Sequence, residues 1–299
     1  MDRFHMMSVF IAVAEEQSFA AGARRLEMSP PAVTRAVAHL EERLGVKLLN
    51  RTTRYVRVTE AGQRYLEDAR RILSEVEAAD ESAAGINAEP RGHLAVTAPV
   101  LFGRMFVMPG IIEYLKRYPD TEVSAVFLDR VVNLLEEGQD VGVRIGELPD
   151  SSMRALRVGS VRLVLCASDE YLTHYGEPKT PDELVEHTMI ASSAGSGAFD
   201  WRFNSTTGSR PLRLRPRLTV TTNDAAIEAA REGLGITRLL SYQMAPYVAD
   251  SQLKLLLEEF EPAPIPVHIV HREGRYTSAK VRAFIDLLAE RLKAEAALK

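Results

Sequence analysis

The chain has 299 residues, 46% of them apolar and 26% charged, with a formal charge of −4. These are globular proportions, and the length suggests about two domains. The single cysteine, Cys166, excludes an intrachain disulfide framework and any multi-cysteine metal site, and no apolar run reaches the roughly 18–20 residues of a membrane-spanning helix.

The average charge hides an asymmetry. Residues 1–58 carry nine cations against six acids, residues 59–90 three against eight, and residues 91–299 twenty-five against twenty-seven. The basic part is therefore the first fifth. Acidic and polar residues appear early (Asp2, Arg3, His5), where a secretory leader would have an apolar core, so a cytoplasmic protein is expected.

Met7, Phe10, Ile11 and Ala14 recur at i, i+3, i+4 and i+7 and predict a helix over residues 3–16 with one apolar stripe. Ser18 is placed to cap a short second helix, with Phe19, Ala23 and Leu26 inward and Arg24, Arg25 and Glu27 outward. Ser29-Pro30-Pro31 starts a third, because Pro at the first helical position lacks the N–H that would be orphaned there. Its inner face is Val33, Val37, Leu40 and Leu44, and it stops at Gly45. Its other face shows Ala32, Thr34, Arg35 and Ala38 near the leading end. Two short helices with small, hydroxyl and Arg side chains at the head of the second form an arrangement that can enter a major groove. Residues 43–58 hold five cations (Arg43, Lys47, Arg51, Arg54, Arg57) and no acid. Tyr55-Val56-Arg57-Val58 alternates like a strand, so the stretch reads as a basic wing with phosphates as partners. The plainer account is a three-helix core with a solvated basic face.

Thr59 can cap a long helix running to about residue 84, in which Tyr65, Ala69, Ile72, Val76, Ala79 and Ala83 fall at heptad spacing. This seam, and in it Tyr65, Ile72, Val76 and Ala79, is expected to join two copies; packing back onto the N-terminal domain is the competing account. A two-fold dimer would let a small head engage two half-sites.

After Glu89-Pro90-Arg91-Gly92 the texture changes. Strands are predicted over residues 93–98, 121–128, 140–145, 162–166, 217–221, 235–239 and 265–270. Helical segments are predicted at Met108-Ile111-Ile112-Leu115, at 131–137, at 223–232 and at Val281-Phe284-Ile285-Leu288. Such alternation implies open parallel-type α/β sheets. Two α/β subdomains joined by two crossing strands, with a cleft between them, would accommodate it. In such sheets ligands sit at the carboxyl ends of strands, where helix N-termini offer free N–H groups. The turns at residues 97–103 and 221–224 are of that kind, although their threonines also suit simple capping. Arg144 could present a cation to the cleft or sit in a buried ion pair.

The run Phe10 to Leu26, then Ser29-Pro-Pro-Ala-Val-Thr34-Arg35 to Gly45, then Leu48-Leu-Asn-Arg51-Thr-Thr-Arg54 and Thr59-Glu-Ala-Gly62, resembles the winged helix-turn-helix of the LysR-type transcriptional regulators. The similarity covers essentially the whole chain. It implies an α+β multidomain protein: a winged helix-turn-helix over residues 1–58, a linker and dimerisation helix over 59–88, and a periplasmic-binding-protein-like α/β effector domain over 91–299. Subdomain I of the latter would be residues 91–161 and 268–299, and subdomain II residues 162–267. By the same resemblance Ser29, Pro30, Pro31, Ala32, Thr34 and Arg35 face the groove, and Arg51 and Arg54 contact DNA from the wing, with Arg57 beside them. Pro99, Val100, Arg144, Ser193, Thr222 and Asn223 are implied to line an effector cleft. The implied partners are double-stranded DNA with an interrupted dyad, a small-molecule effector, and further copies of the chain as homodimers pairing into tetramers. No cofactor, metal or membrane is implied.

Enzyme chemistry needs a nucleophile, a base and a stabiliser together, and no such set is apparent. Cys166 falls in the apolar run Arg162-Leu-Val-Leu-Cys166, where a free cysteine is usually a small hydrophobe; a redox-responsive regulator using it is the alternative. His268 and His271 would point to opposite faces of a strand. Gly233-Leu234-Gly235 follows a helix and precedes a strand, which suits a helix cap and not a dinucleotide turn. A solute-binding protein would match residues 91–299, but not the basic head.

Overall fold

α1 (Arg3–Glu16) is apolar on most of its circumference, and the N-terminal unit folds around it: Met6, Met7, Val9, Phe10, Ala12, Val13 and Ala14 are all buried. The expected single stripe is thus too narrow, because a helix apolar all round must be covered all round. The computed structural model describes residues 2–51, 56–84, 89–148, 153–193, 200–204, 210–272 and 278–299. They divide into two units, one of residues 2–90 with the segments 133–139 and 278–280, the other of the remainder.

In the first unit, α2 (Phe19–Arg25) begins where the Ser18 hydroxyl accepts the Ala21 N–H at 3.2 Å. α3 (Pro30–Leu44) has Ser29 at its cap position, but the serine side chain makes no capping hydrogen bond; the helix starts on its proline and on the Ser29 carbonyl. It ends at Gly45, whose φ of 67° is the left-handed conformation glycine takes without strain. β1 (Leu49–Arg51) and β2 (Val56–Val58) form an antiparallel pair, with Asn50 opposite Arg57. α4 (Glu60–Ala84) follows, capped by the Thr59 hydroxyl, which accepts the Gly62 N–H at 2.9 Å. The core joins α1, α2 and α3 through Phe10, Val13, Ala23, Val33, Val37 and Leu40, with Leu48, Leu49 and Leu66 below.

The second unit opens with β3 (Gly92–Ala98), then α5 (Val100–Phe102), a π turn over Gly103–Val107 and α6 (Met108–Arg117). A Cβ on Gly103 would lie 2.5 Å from the Phe127 ring, so the turn tolerates no side chain there. β4 (Thr121–Phe127), β5 (Val141–Ile145), β6 (Met153–Val161) and β7 (Leu163–Ala167) come next. They are followed by α7 (Asp169–Tyr175), β8 (Met189–Ser192), the hairpin of β9 (Asp200–Phe203) and β10 (Arg210–Arg213), and β11 (Leu218–Val220). The chain closes with α8 (Asn223–Arg231), β12 (Ile236–Leu240), α9 (Ser241–Ala249), β13 (Lys254–Leu256), β14 (Ile265–Arg272) and α10 (Ala279–Ala294).

Two five-stranded sheets result, in the orders β4-β3-β5-β14-β6 and β11-β8-β12-β7-β13. Both are mixed where parallel sheets were expected: β14 runs antiparallel to β5 and β6, and β7 antiparallel to β12 and β13. The reason is topological. The chain passes from one sheet to the other at β6–β7 and returns at β13–β14, so the returning strands enter without a βαβ crossover.

Two further expectations fail locally. Residues 131–137 form no helix: the Asn133 side chain accepts the Leu135 N–H at 3.1 Å, an Asx turn that competes with helix, and Gly138 reverses the chain at φ 62°. On α6 the buried residues are Gly110, Ile111 and Tyr114, whereas Ile112 and Leu115 stand 47% and 36% exposed. Gly233, with φ 73°, does cap α8, its N–H meeting the Ala230 carbonyl and that of Leu234 the Ala229 carbonyl.

Candidate nucleic-acid interface and effector cleft

Burial of Val33, Ala36, Val37 and Leu40 fixes how α3 is rotated. Ser29, Pro30, Pro31 and Arg35 are left exposed and Ala32 and Thr34 half-buried, so the leading turns present small and hydroxyl groups around one guanidinium. Arg57 is exposed on β2 and Arg51 ends β1, while Arg54 lies outside the described residues.

The wing is tied to α3 by an acid that sequence reading passed over. Glu41, whose side chain is 3% exposed, accepts the Lys47 ammonium at 2.6 Å and the backbone N–H groups of Leu48 and Leu49 at 3.0 and 3.1 Å. Burial pushes its carboxyl up, but these three donors outweigh burial and leave it below the usual carboxylate range. Thr59 adds a second tie by donating its hydroxyl to the Lys47 carbonyl at 2.7 Å. Gly62 lets α4 start against the residue that leads into β1, since a Cβ there would sit 2.0 Å from the Leu48 carbonyl oxygen. Elsewhere on the head Glu15 holds Arg25 and Arg70, each at 2.6 Å. Arg35 and Arg57 meet no carboxylate among the described residues.

Of the heptad positions on α4, Tyr65 packs on Phe10 inside the head, ring centroids 5.7 Å apart, and Ala69 is fully buried. Ile72 and Val76 are half-buried and Ala79 is exposed.

In the second unit, Val100 opens α5 at the carboxyl end of β3 and Thr222 precedes α8 at the carboxyl end of β11. The Val100 N–H was expected to be free; it is taken by the Asp129 carboxylate at 3.0 Å. Burial and the Asp224 charge push the Asp129 carboxyl up, against the Val100 N–H. Asp129 stands two residues past the end of β4, so its place near a strand end was the signal for it. Thr222 donates to the Asp224 carboxylate and does not cap. Ser193 donates its N–H and hydroxyl to the Val220 carbonyl at 2.8 and 3.2 Å, and Arg144 donates to the Val132 carbonyl. Pro99 and Asn223 are partly exposed beside these turns.

Cys166 is fully buried on β7, 3.5 Å from the Met244 sulfur, and burial pushes its thiol up to about 12. Such a thiol is inert near neutrality. Trp201 is half-buried beside Phe203, and the Arg238 guanidinium lies 5.4 and 4.7 Å from their ring centroids, so it packs on the second sheet. Residues 194–199 lie outside the described residues.

A helix offered beside a two-stranded basic wing, followed by paired α/β sheets, defines a winged helix-turn-helix DNA-binding protein with a ligand-binding domain. Residues 4–63 match the bacterial regulatory helix-turn-helix proteins of the lysR family, and residues 87–293 match the LysR substrate binding domain. The chain belongs to the LysR-type transcriptional regulators, DNA-binding proteins that carry an effector-binding domain. It is 32% identical over 287 residues to the HTH-type transcriptional regulator CrgA of Neisseria meningitidis serogroup B, covering 96% of each chain. It is also 32% identical over 292 residues to the HTH-type transcriptional activator AaeR of Escherichia coli, covering 97% of this chain and 94% of that one. A solved structure of CrgA superposes with a TM-score of 0.63 over 96% of this chain and 98% of that one, at 32% identity. The full-length structure of the Vibrio cholerae virulence activator AphB gives 0.62 at 25% identity, over 97% of this chain and 99% of that one.

Proposed function

We propose that the chain is a cytoplasmic regulator that acts by binding, without catalysis, at a promoter carrying an interrupted dyad. Two heads engage the half-sites, joined through Ile72, Val76 and Ala79 of α4, and dimers pair into tetramers. Arg35 and Thr34 meet base edges, while Arg51, Arg54 and Arg57 neutralise phosphates. The DNA-binding domain spans residues 1–58, the linker and dimerisation helix 59–88 and the effector domain 91–299, with subdomain I formed by residues 91–161 and 268–299 and subdomain II by 162–267. A small metabolite held among Pro99, Val100, Arg144, Ser193, Thr222 and Asn223 favours one closure of the subdomains and so changes the spacing of the heads.

The observation that carries this reading is the exposed leading end of α3, with Arg35 on it and Arg57 on the wing unmatched by any described carboxylate. Its test is selection of bound fragments from a sheared genome by the purified full-length chain, with and without metabolite extract. Enrichment of fragments sharing two half-sites about one helical turn or a multiple apart is expected. Equal recovery of genomic and scrambled duplex refutes it.

A further inference from the structure

The six cleft positions leave another cavity untouched. It encloses about 320 Å³, at the small end of the range for metabolite sites, and lies between the helical stretch after β3, α8 and α9. Leu101, Met105, Ile227 and Tyr247 make an apolar surface within it. Arg104 and Met105 reach the cavity from the π turn, a rare geometry that occurs frequently at functional sites.

Two guanidinium groups enter from different elements. Arg104 lies near Asp224, whose carboxyl is held low first by the Thr222 hydroxyl and more weakly by Arg104. Arg231, in the last turn of α8, lies 5.3 Å from the Tyr247 ring centroid and, among the described residues, gives only Nη1 to a carboxylate, Glu228 at 2.5 Å. Its Nε is buried without an acceptor among the described residues. Nε and Nη2 form the edge that meets a carboxylate through two parallel bonds, and a buried donor left unpaired is costly.

We propose that this cavity binds a small monocarboxylate with an apolar body, separately from the cleft. The acid draws the Arg231 guanidinium off Tyr247 onto its own two oxygens, while the hydrocarbon part covers Leu101 and Ile227. Asp224 and Asp250 also line the cavity and exclude a second negative charge. Because Arg104 lies on the helical stretch that follows β3 in one sheet and Arg231 on α8, which leads into β12 of the other, an acid touching both restrains the two sheets against each other.

The test is calorimetric titration of the full-length chain with phenylacetate, 4-methylpentanoate and the neutral isostere phenylacetamide. Both acids are expected to bind at millimolar concentration or below and the amide at least tenfold more weakly. Arg231→Met, which keeps the stem, should weaken the acids about tenfold or more. Arg104→Met, at an exposed side chain that the fold does not need, should weaken them roughly threefold and decides the matter if Arg231→Met does not fold. Ser193→Trp, which fills the cleft, should leave acid binding unchanged. Unweakened binding in Arg104→Met, loss of binding in Ser193→Trp, equal binding of the amide, or no heat at about 10 mM acid overturns the proposal. DNA binding measured on the same samples reports on the regulator reading independently.

Discussion

Removing the Glu41 carboxylate should loosen the wing without unfolding the head. In Glu41→Ala the N–H groups of Leu48 and Leu49, both residues buried, lose their shared acceptor. An unsatisfied buried donor costs about 1–3 kcal/mol, and water admitted by the shorter side chain recovers part of that, so a local loss of roughly 2–4 kcal/mol is expected. The ion pair adds little, because the Lys47 side chain is 76% exposed. Amide exchange in the full-length chain, followed at residues 48 and 49, should accelerate about thirty-fold or more, since each 1.4 kcal/mol is a factor of ten. Glu41→Gln, which keeps one neutral acceptor, should fall between. The carboxyl is held below its ordinary value in the folded chain, so its contribution is complete above the unfolded glutamate pKa of about 4.3 and disappears as pH falls through the lower folded value. Protection at residues 48 and 49 should therefore be flat from pH 8 to about 5 after correction for intrinsic exchange. Unchanged exchange in Glu41→Ala would refute the reasoning, whatever happened to DNA affinity.

The remaining predictions concern DNA, assembly and the thiol. Arg35→Ala should erase the preference for operator over scrambled duplex by about 1–3 kcal/mol, whereas Arg57→Ala should weaken all DNA alike and reduce the salt slope by about one; identical anisotropy titrations for the two variants would contradict this division. Replacing Ile72 and Val76 by Ser should give monomers in light scattering, and an unchanged mass would place the seam elsewhere. Gly62→Ala should destabilise the head by about 2 kcal/mol or more, because its Cβ would lie 2.0 Å from a carbonyl oxygen; an unchanged first denaturation transition counts against that contact. Cys166 should react with a disulfide reagent at pH 7.5 only at the rate of unfolding, and prompt labelling of the native chain would show that its burial is wrong.

The sequence was most readable where a residue's role depends on its own neighbours along the chain. Ser18, Thr59, Gly45 and Gly233 act as caps or terminators because their effect is local. It was least readable where the role depends on a distant partner. Glu41 is an acid beside a basic stretch, and nothing in its spacing says that the Leu48 and Leu49 amides at the start of β1 turn toward it. On α6 the spacing of Met108, Ile111, Ile112 and Leu115 marks a stripe but not which edge of it meets the sheet, and Tyr114 takes the place given to Leu115. The segment 131–137 has helical spacing, yet Asn133 supplies a competing turn within three residues. Strand ends pointed to Val100 and Thr222 as the starts of helices, which they adjoin, but the donor at Val100 is already engaged by Asp129.

The docking of Tyr65 on Phe10, with Arg70 bound to Glu15, makes the first turns of α4 part of the head. A straight helix of 25 residues is about 37 Å long at 1.5 Å per residue. Anchored at one end by these contacts, it acts as a lever arm, and a tilt of about 10° at the anchored end sweeps its far end through roughly 6 Å. The gearing also works in reverse: a small displacement applied at the far end reaches the head as a rotation about the Tyr65 and Arg70 contacts.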